Sequence, residues 1–264
     1  MRTVDQIIQG MEETKSQGEF LPTGFWALDR DLDGGFMRKE LIVLGGYTGM
    51  GKSYIATQIA WQILIKGFKT AYFSLEISDE MVVSRIVGHL ANVKPTRVIY
   101  GLLLPEEKER IDKAKLEIIT YGELFEVYDN LYQLTEIGEA VIAGKYDFVV
   151  IDFIQNIFHK GEEYERLSYI SLYLQKLAKK TNSCILVLSQ LSNSAAKAGL
   201  MEYKGSGAIA MVSDLGFFLK RSEANGNMND IELSLKKNRR GFSGTNYILE
   251  FQQPGGRISQ KNNL

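Results

Sequence analysis

The segment Gly46-Tyr47-Thr48-Gly49-Met50-Gly51-Lys52-Ser53 fits G-x-x-x-x-G-K-[ST], and few patterns restrict a fold so tightly. The apolar run Leu41-Ile42-Val43-Leu44 before it reads as a buried strand. After it, Ile55, Ala56, Ile59, Ala60, Ile63 and Leu64 recur at helical spacing. Strand, glycine-rich turn and helix in that order make a loop that cradles phosphates. Glycine lets successive backbone N–H groups curl toward one anion. The helix beginning near Lys52 turns its positive end to the same point. Lys52 is expected to reach the β- and γ-phosphates, and the Ser53 hydroxyl to bind Mg²⁺.

A chain of 264 residues suits one large α/β domain or two small ones, and with four prolines and no repeat it shows no internal boundary. The formal net charge is −1, so any nucleic-acid contact must come from local groups, arrayed by oligomerisation. The single cysteine, Cys184, excludes an intrachain disulfide and suits a reducing cytoplasm. Its apolar setting, Ile185-Leu186-Val187-Leu188, gives it a core role. No apolar run approaches a membrane span and no signal peptide is visible, so a cytoplasmic location without a membrane partner is expected.

Residues 1–14 read as an amphipathic helix: Thr3 and Gln6 fit a capping box, and Val4, Ile7, Ile8 and Met11 form a narrow apolar stripe. The polar stretch 12–19 reads as a linker. The helix can pack on its own domain or on a neighbour. A short helix follows at 26–32, ended by Asp33-Gly34-Gly35. Strands are expected at 69–75, 124–128, 146–152, 184–188, 215–219, 231–235 and 246–251. Helices are expected after Ser78, at 105–118 and at 164–180, with a loop at 192–208. The glycines of Asn225-Gly226 and of 241–244 favour hairpins. A βα alternation followed by a meander predicts an α/β fold, a mostly parallel central sheet flanked by helices with antiparallel strands at the C-terminal side.

Several other residues carry chemistry. Asp152 ends an all-apolar strand, where an acid orients Mg²⁺ through its water shell; a helix cap is the plainer alternative, and Asp129 is a weaker rival. Glu76 also lies at a strand end and can serve as general base for an attacking water, or be a solvated surface acid. Gln190 can hydrogen-bond a γ-phosphate or its water, or simply cap its strand. In Lys236-Lys237-Asn238-Arg239-Arg240-Gly241, read as a cationic cluster after a strand, Lys237 and Arg239 project together by strand alternation. Two cations on one side suit a phosphate supplied by another subunit, although a charge run is often a solvated face. His89 is expected to pack or hydrogen-bond, and with two histidines and one cysteine no zinc site is expected.

Taken in this order, the motifs resemble the RecA-type ATPase domain of the DnaB-like replicative helicases. Pro22-Thr23-Gly24-Phe25 with Leu28-Asp29 is similar to the family's entry segment. Phe73-Ser74-Leu75-Glu76 resembles the strand with the catalytic glutamate, Ile151-Asp152-Phe153-Ile154-Gln155 its Walker B segment, and Ser189-Gln190-Leu191-Ser192 its sensor. Gly205-Ser206-Gly207-Ala208-Ile209 with Ser213-Asp214 resembles the DNA-facing loop and next strand, and Lys237-Asn238-Arg239-Arg240-Gly241 the trans-acting lysine and arginine finger. The resemblance implies a RecA-like core at 19–264 and a linker helix at 1–18 that docks on the next subunit. It implies a homo-oligomeric ring, six subunits being usual, with ATP and Mg²⁺ between subunits and single-stranded DNA inside. DNA would meet Lys197, Lys204, Gly205 and Gly207. A primase or a loader counts among the partners such a ring takes.

The chain departs from the pattern in places. The family's N-terminal helical domain has no counterpart here, which fits an excised fragment or a short relative. The phosphate loop reads Gly45-Gly46-Tyr47-Thr48-Gly49-Met50 and not the family's more usual alanine-arginine-proline-serine form, Ser194 stands where an arginine is usual, and Glu162, Glu163 and Glu165 make the loop after Asp152 acidic. These departures predict weak DNA binding by a single subunit. Two other readings stay open: another RecA-type ATPase, such as a recombinase or a RadA- or KaiC-like protein, and a nucleotide-gated assembly module. The sensor and the Lys-Asn-Arg cluster favour the helicase over the first, and Glu76 over the second.

Overall fold

Leu41 to Leu44 pack alternately to the two sides of one sheet, Leu41 and Val43 against one apolar cluster and Ile42 and Leu44 against another. A strand buried on both faces must be apolar at every position, which is why it reads as a continuous run. The computed structural model describes residues 3–6, 8, 20–190, 207–222 and 229–261.

The strands are β1 (Phe20–Leu21), β2 (Phe36–Met37), β3 (Leu41–Gly46), β4 (Thr70–Ser74), β5 (Phe125–Tyr128), β6 (Phe148–Asp152), β7 (Cys184–Gln190), β8 (Leu215–Arg221), β9 (Asp230–Asn238), β10 (Asn246–Gln252) and β11 (Arg257–Gln260). β1 and β2 form a small antiparallel pair; the rest build a 9-stranded sheet in the order β11-β10-β9-β8-β3-β7-β6-β4-β5. From β8 to β5 every pairing is parallel, and β9, β10 and β11 add antiparallel strands. This is the expected sheet.

Helix Lys52–Leu64 packs on one face through Ile55, Ala56, Ile59 and Ile63. Helices Leu134–Gly144 and Glu163–Thr181 cover the other face through Ile137, Val141, Leu167, Ile170 and Leu174. Helices Asp79–Ala91, Pro95–Tyr100 and Pro105–Thr120 close around a separate cluster containing Val87, Val93 and Ile111. The hydroxyl of Ser78 accepts from Met81 N at 3.4 Å, as expected of the cap. Among the described residues no helix is long and apolar enough to cross a membrane.

The structure adds elements that the sequence reading lacked: helices Pro95–Tyr100 and Leu134–Gly144 and strands β1, β2 and β11. It corrects the extent of others. β9 runs through Asn238, so Lys237 lies within a strand and not after one. Helix Gly207–Val212 occupies the end of the expected loop. The remainder of that loop and Asn225-Gly226 lie outside the described residues. Cys184 is buried in β7, and burial pushes its thiol pKa up. His89 packs half-buried with Nδ1 unpartnered, its pKa lowered to about 4 by burial first and Arg257 second.

Candidate active site

Because β3, β7, β6 and β4 run parallel and side by side, their carboxyl ends share one edge of the sheet. Ligands in open α/β sheets bind at such an edge. Gly46 at the end of β3 faces Gln190 on β7, and Asp152 at the end of β6 faces Ser74 on β4, two residues before Glu76. Together they border a cavity of about 900 Å³ lined by Thr48, Gly49, Met50, Gly51, Lys52, Ser53, Glu76, Asp152 and Gln190.

The loop conformation needs its glycines. Gly49 and Gly51 have φ of 78° and 93°, a region in which a side chain is strained. At Gly46 a Cβ would lie 2.9 Å from the carbonyl oxygen of Leu219, because β8 presses against it. Buried Lys52 extends back along the loop, and its Nζ donates to the carbonyls of Gly46 and Tyr47 at 2.9 Å each. Burial lowers the Lys52 pKa, while the nearby charges of Asp152 and Glu76 raise it.

Asp152 is 3% exposed and accepts from the Tyr72 hydroxyl at 2.8 Å. Burial raises its pKa; hydrogen bonds from Ser53 and Tyr72 and the charges of Arg85 and Lys52 oppose that rise. Ser53 and Asp152 are thus in contact at the mouth of the loop. Among the described residues no group of three or more His, Cys, Asp or Glu could hold a metal. The Ser53 hydroxyl and the Asp152 carboxylate fit Mg²⁺, which takes one or two protein oxygens and completes its octahedron with phosphate and water. Asp129 does not line the cavity; its Oδ2 accepts from Asp79 N at 3.3 Å.

Two residues of this edge had no site role in the sequence reading. Gln155 clamps β7 to the segment after β6: its Nε2 donates to Ser189 Oγ at 3.0 Å and Gln190 O at 3.1 Å, and its Oε1 accepts from Gln190 N at 3.3 Å. Arg85 lines the cavity, lies 4.7 Å from the Tyr54 ring centroid, and keeps Nε and Nη1 buried without hydrogen-bond partners. The signal for Arg85 was a cation on the apolar stripe of Met81, Val82, Ile86 and Leu90. For Gln155 it was only a pair of polar residues, Gln155 and Asn156, between the apolar Ile154 and Ile157.

Lys237 and Arg239 are not at this edge. Gly46 pairs with Leu219 near one end of β8, whereas Leu215 at the other end pairs with Asn238 of β9. Those positions lie roughly 13 Å apart at about 3.3 Å per residue. The two side chains do meet each other, since both donate to the carbonyl of Met211. Arg240 turns inward instead, pairing with Glu40 at 3.0 Å and donating to Leu32 O and Gly35 O at 3.2 and 3.0 Å. Lys197, Lys204 and Gly205 lie outside the described residues, and Gly207 opens its helix.

The chain is similar to known proteins in sequence and in fold. Residues 20–259 match the model of the DnaB-like helicase C terminal domain. The replicative DNA helicase DnaB of Treponema pallidum (strain Nichols) is 32% identical over 243 residues, covering 88% of this chain and 54% of that protein. The chain therefore spans about half the length of this curated relative. One solved ATPase domain superposes with a TM-score of 0.86 at 20% identity, over 99% of this chain and 100% of that one. A DnaB-like replicative helicase, solved in a study of its interactions with primase, gives 0.83 at 20% identity over 98% of this chain and 67% of its own. The fold, the phosphate loop and a family match over nearly the whole sequence agree: this chain belongs to the DnaB-like helicase C-terminal domain family.

Proposed function

We propose that the chain is the motor domain of an ATP-driven DNA helicase, working as a homo-oligomeric ring, six copies being the expected number, that moves on single-stranded DNA. The observation that carries this reading is the separation of the loop from Lys237 and Arg239 along β8. The two cations lie away from the cavity of their own copy, which supports a site that takes them from a second one. When bound, ATP supplies a phosphoanhydride whose cleavage drives movement. Lys52 neutralises its phosphates, and Ser53 and Asp152 hold Mg²⁺. Glu76 takes the proton of the attacking water. Gln190, clamped by Gln155, senses the γ-phosphate, and Lys237 and Arg239 from the adjoining copy stabilise charge on the transferring phosphoryl group. The test is ATP turnover with and without single-stranded DNA. Stimulation by DNA supports the motor; tight ATP binding with negligible turnover in either case would favour an assembly module. A cytoplasmic location and a primase or loader as partner belong to the same reading.

Within this reading residues 1–18 form a linker helix and 19–264 the ATPase domain. Thr3 N donates to Gln6 Oε1 at 3.0 Å and Gln6 N to Thr3 Oγ1 at 3.3 Å, the reciprocal pair of a capping box. Val4 and Ile8 are exposed, which supports a role in docking on another copy. Removing residues 1–14 is expected to weaken assembly and leave the monomer folded. Light scattering decides this, and an unchanged oligomer would sink the docking idea.

DNA affinity is expected to be weak for one copy and to appear in ATP-stabilised rings. Six copies would set roughly six to twelve lysines, Lys197 and Lys204 of each, along one strand, and counterion release would make binding steeply salt-dependent. Lys204→Glu should weaken binding to every sequence and flatten the salt slope. Fluorescence anisotropy across a salt series, with a non-hydrolysable ATP analogue, measures it; affinity indifferent to both nucleotide and Lys204→Glu would place the DNA path elsewhere.

A further inference from the structure

Lys237 and Arg239 are held by their own chain. Lys237 Nζ donates to the Met211 carbonyl at 2.8 Å. Arg239 Nη2 donates to that same oxygen at 3.1 Å, and its Nη1 to Asp214 Oδ1 at 2.9 Å. One carbonyl thus gathers two cations, which repel. Desolvation lowers the Lys237 pKa first and Arg239 lowers it further, while Asp214 opposes both. Asp214 is fixed on every side: Oδ2 accepts from Leu41 N at 2.9 Å, its N donates to Leu41 O at 2.8 Å, and its carbonyl accepts from Arg239 N at 3.0 Å. It is a post built between β3 and β9, with its side chain only 14% exposed, whereas that of Arg239 is 45% exposed. A guanidinium has five N–H donors, so one bond from Nη1 to Asp214 and one from Nη2 to the Met211 carbonyl leave others for a ligand.

We propose that Asp214 is a positioning residue. With the Met211 carbonyl it holds Arg239, and beside it Lys237, as a preformed two-cation clamp for the polyphosphate of a second copy. This rests on the reading that Arg239 acts on a nucleotide bound by another copy. A carboxylate beside a phosphate-binding arginine weakens the local field, yet it fixes the plane of the fork before the phosphate arrives. Preorganised donors need no rearrangement as charge develops, and small misplacements of such groups are costly in rate.

Asp214→Asn keeps an oxygen for Leu41 N and removes the charge that holds Arg239. Steady-state ATP turnover of the full chain is measured for the parent, Asp214→Asn, Arg239→Ala and the double variant, with assembly matched by light scattering. Asp214→Asn should lower kcat about 10-fold with KM unchanged. Arg239→Ala should lower it about 10³-fold, and the double variant should be no slower than Arg239→Ala. Losses that multiply in the double variant, or parental kcat in Asp214→Asn, overturn the proposal, because Asp214 would then act through the fold or not at all. Parental kcat in Arg239→Ala would instead overturn the trans reading itself. Should Asp214→Asn fail to fold, Arg239→Lys serves: lysine keeps the charge but cannot span Asp214 and Met211, so a kcat loss of about 10-fold is expected and parental turnover overturns the proposal.

Discussion

Glu76→Gln is expected to bind ATP as tightly as the parent and to hydrolyse it about 10²–10⁴-fold more slowly. The substitution keeps size and hydrogen-bonding capacity but removes the basic oxygen. The backbone before residue 76 is fixed from two sides: Leu75 N donates to Asp152 O at 2.8 Å and Asn156 Nδ2 donates to Leu75 O at 2.9 Å. Glutamine should therefore occupy the same place at the cavity wall. The groups assigned to binding, Lys52, Ser53 and the loop N–H groups, are untouched, so the loss should fall on kcat alone. Single-turnover hydrolysis beside equilibrium binding of a fluorescent ATP analogue separates the two. Turnover at the parental rate would mean that another group takes the proton.

Lys52→Ala should lose affinity and turnover together. The Lys52 ammonium is buried against the carbonyls of Gly46 and Tyr47, and it is the cation assigned to the β- and γ-phosphates. Without it phosphate charge would be desolvated and unpaired, at a cost of about 1.5–3 kcal/mol for a charged hydrogen bond, or roughly 10–100-fold in affinity. Hydrolysis should fall by about 10²–10³-fold more, since charge on the transferring group grows toward the transition state. Calorimetric titration with ATP and a phosphate-release assay read both. Unchanged affinity would remove Lys52 from the phosphate site.

The core strands were readable because burial on both faces leaves a continuous apolar signal, as in Leu41 to Leu44 and Phe148 to Ile151. Helix Leu134–Gly144 was not read, although Leu134, Ile137 and Val141 are spaced for it and Gln133 N donates to Glu136 Oε2 at 3.1 Å as in a capping box. Gly138 and Gly144 dilute its pattern between two stronger strand signals. β11 is held by distant partners, with Gln58 Nε2 donating to Ile258 O at 2.6 Å and Ile258 N to Gln58 Oε1 at 2.9 Å, which no local window contains. Asp152, Glu76 and Gln190 were legible one by one as polar groups at strand ends, whereas Arg85 and Gln155 were not. Their arrangement was not, because it depends on strand order. Spacing cannot tell that Asp152 borders the loop while Asp129 caps a helix, or that Lys237 and Arg239 sit at the far end of β8.

That far placement has an arithmetic consequence for the proposed motor. If each copy receives phosphate at one end and offers cations at the other, copies join head to tail, an association without a natural stop until it closes on itself. A row of n copies then finishes only n − 1 hydrolytic centres. The copy at one open end would hold ATP that it cannot cleave, and the copy at the other would present cations to solvent. Closure turns both idle ends into the last working centre. A mixed population should respond accordingly: each Arg239→Ala copy would silence the pocket of its neighbour while its own pocket, served by an intact copy, keeps working.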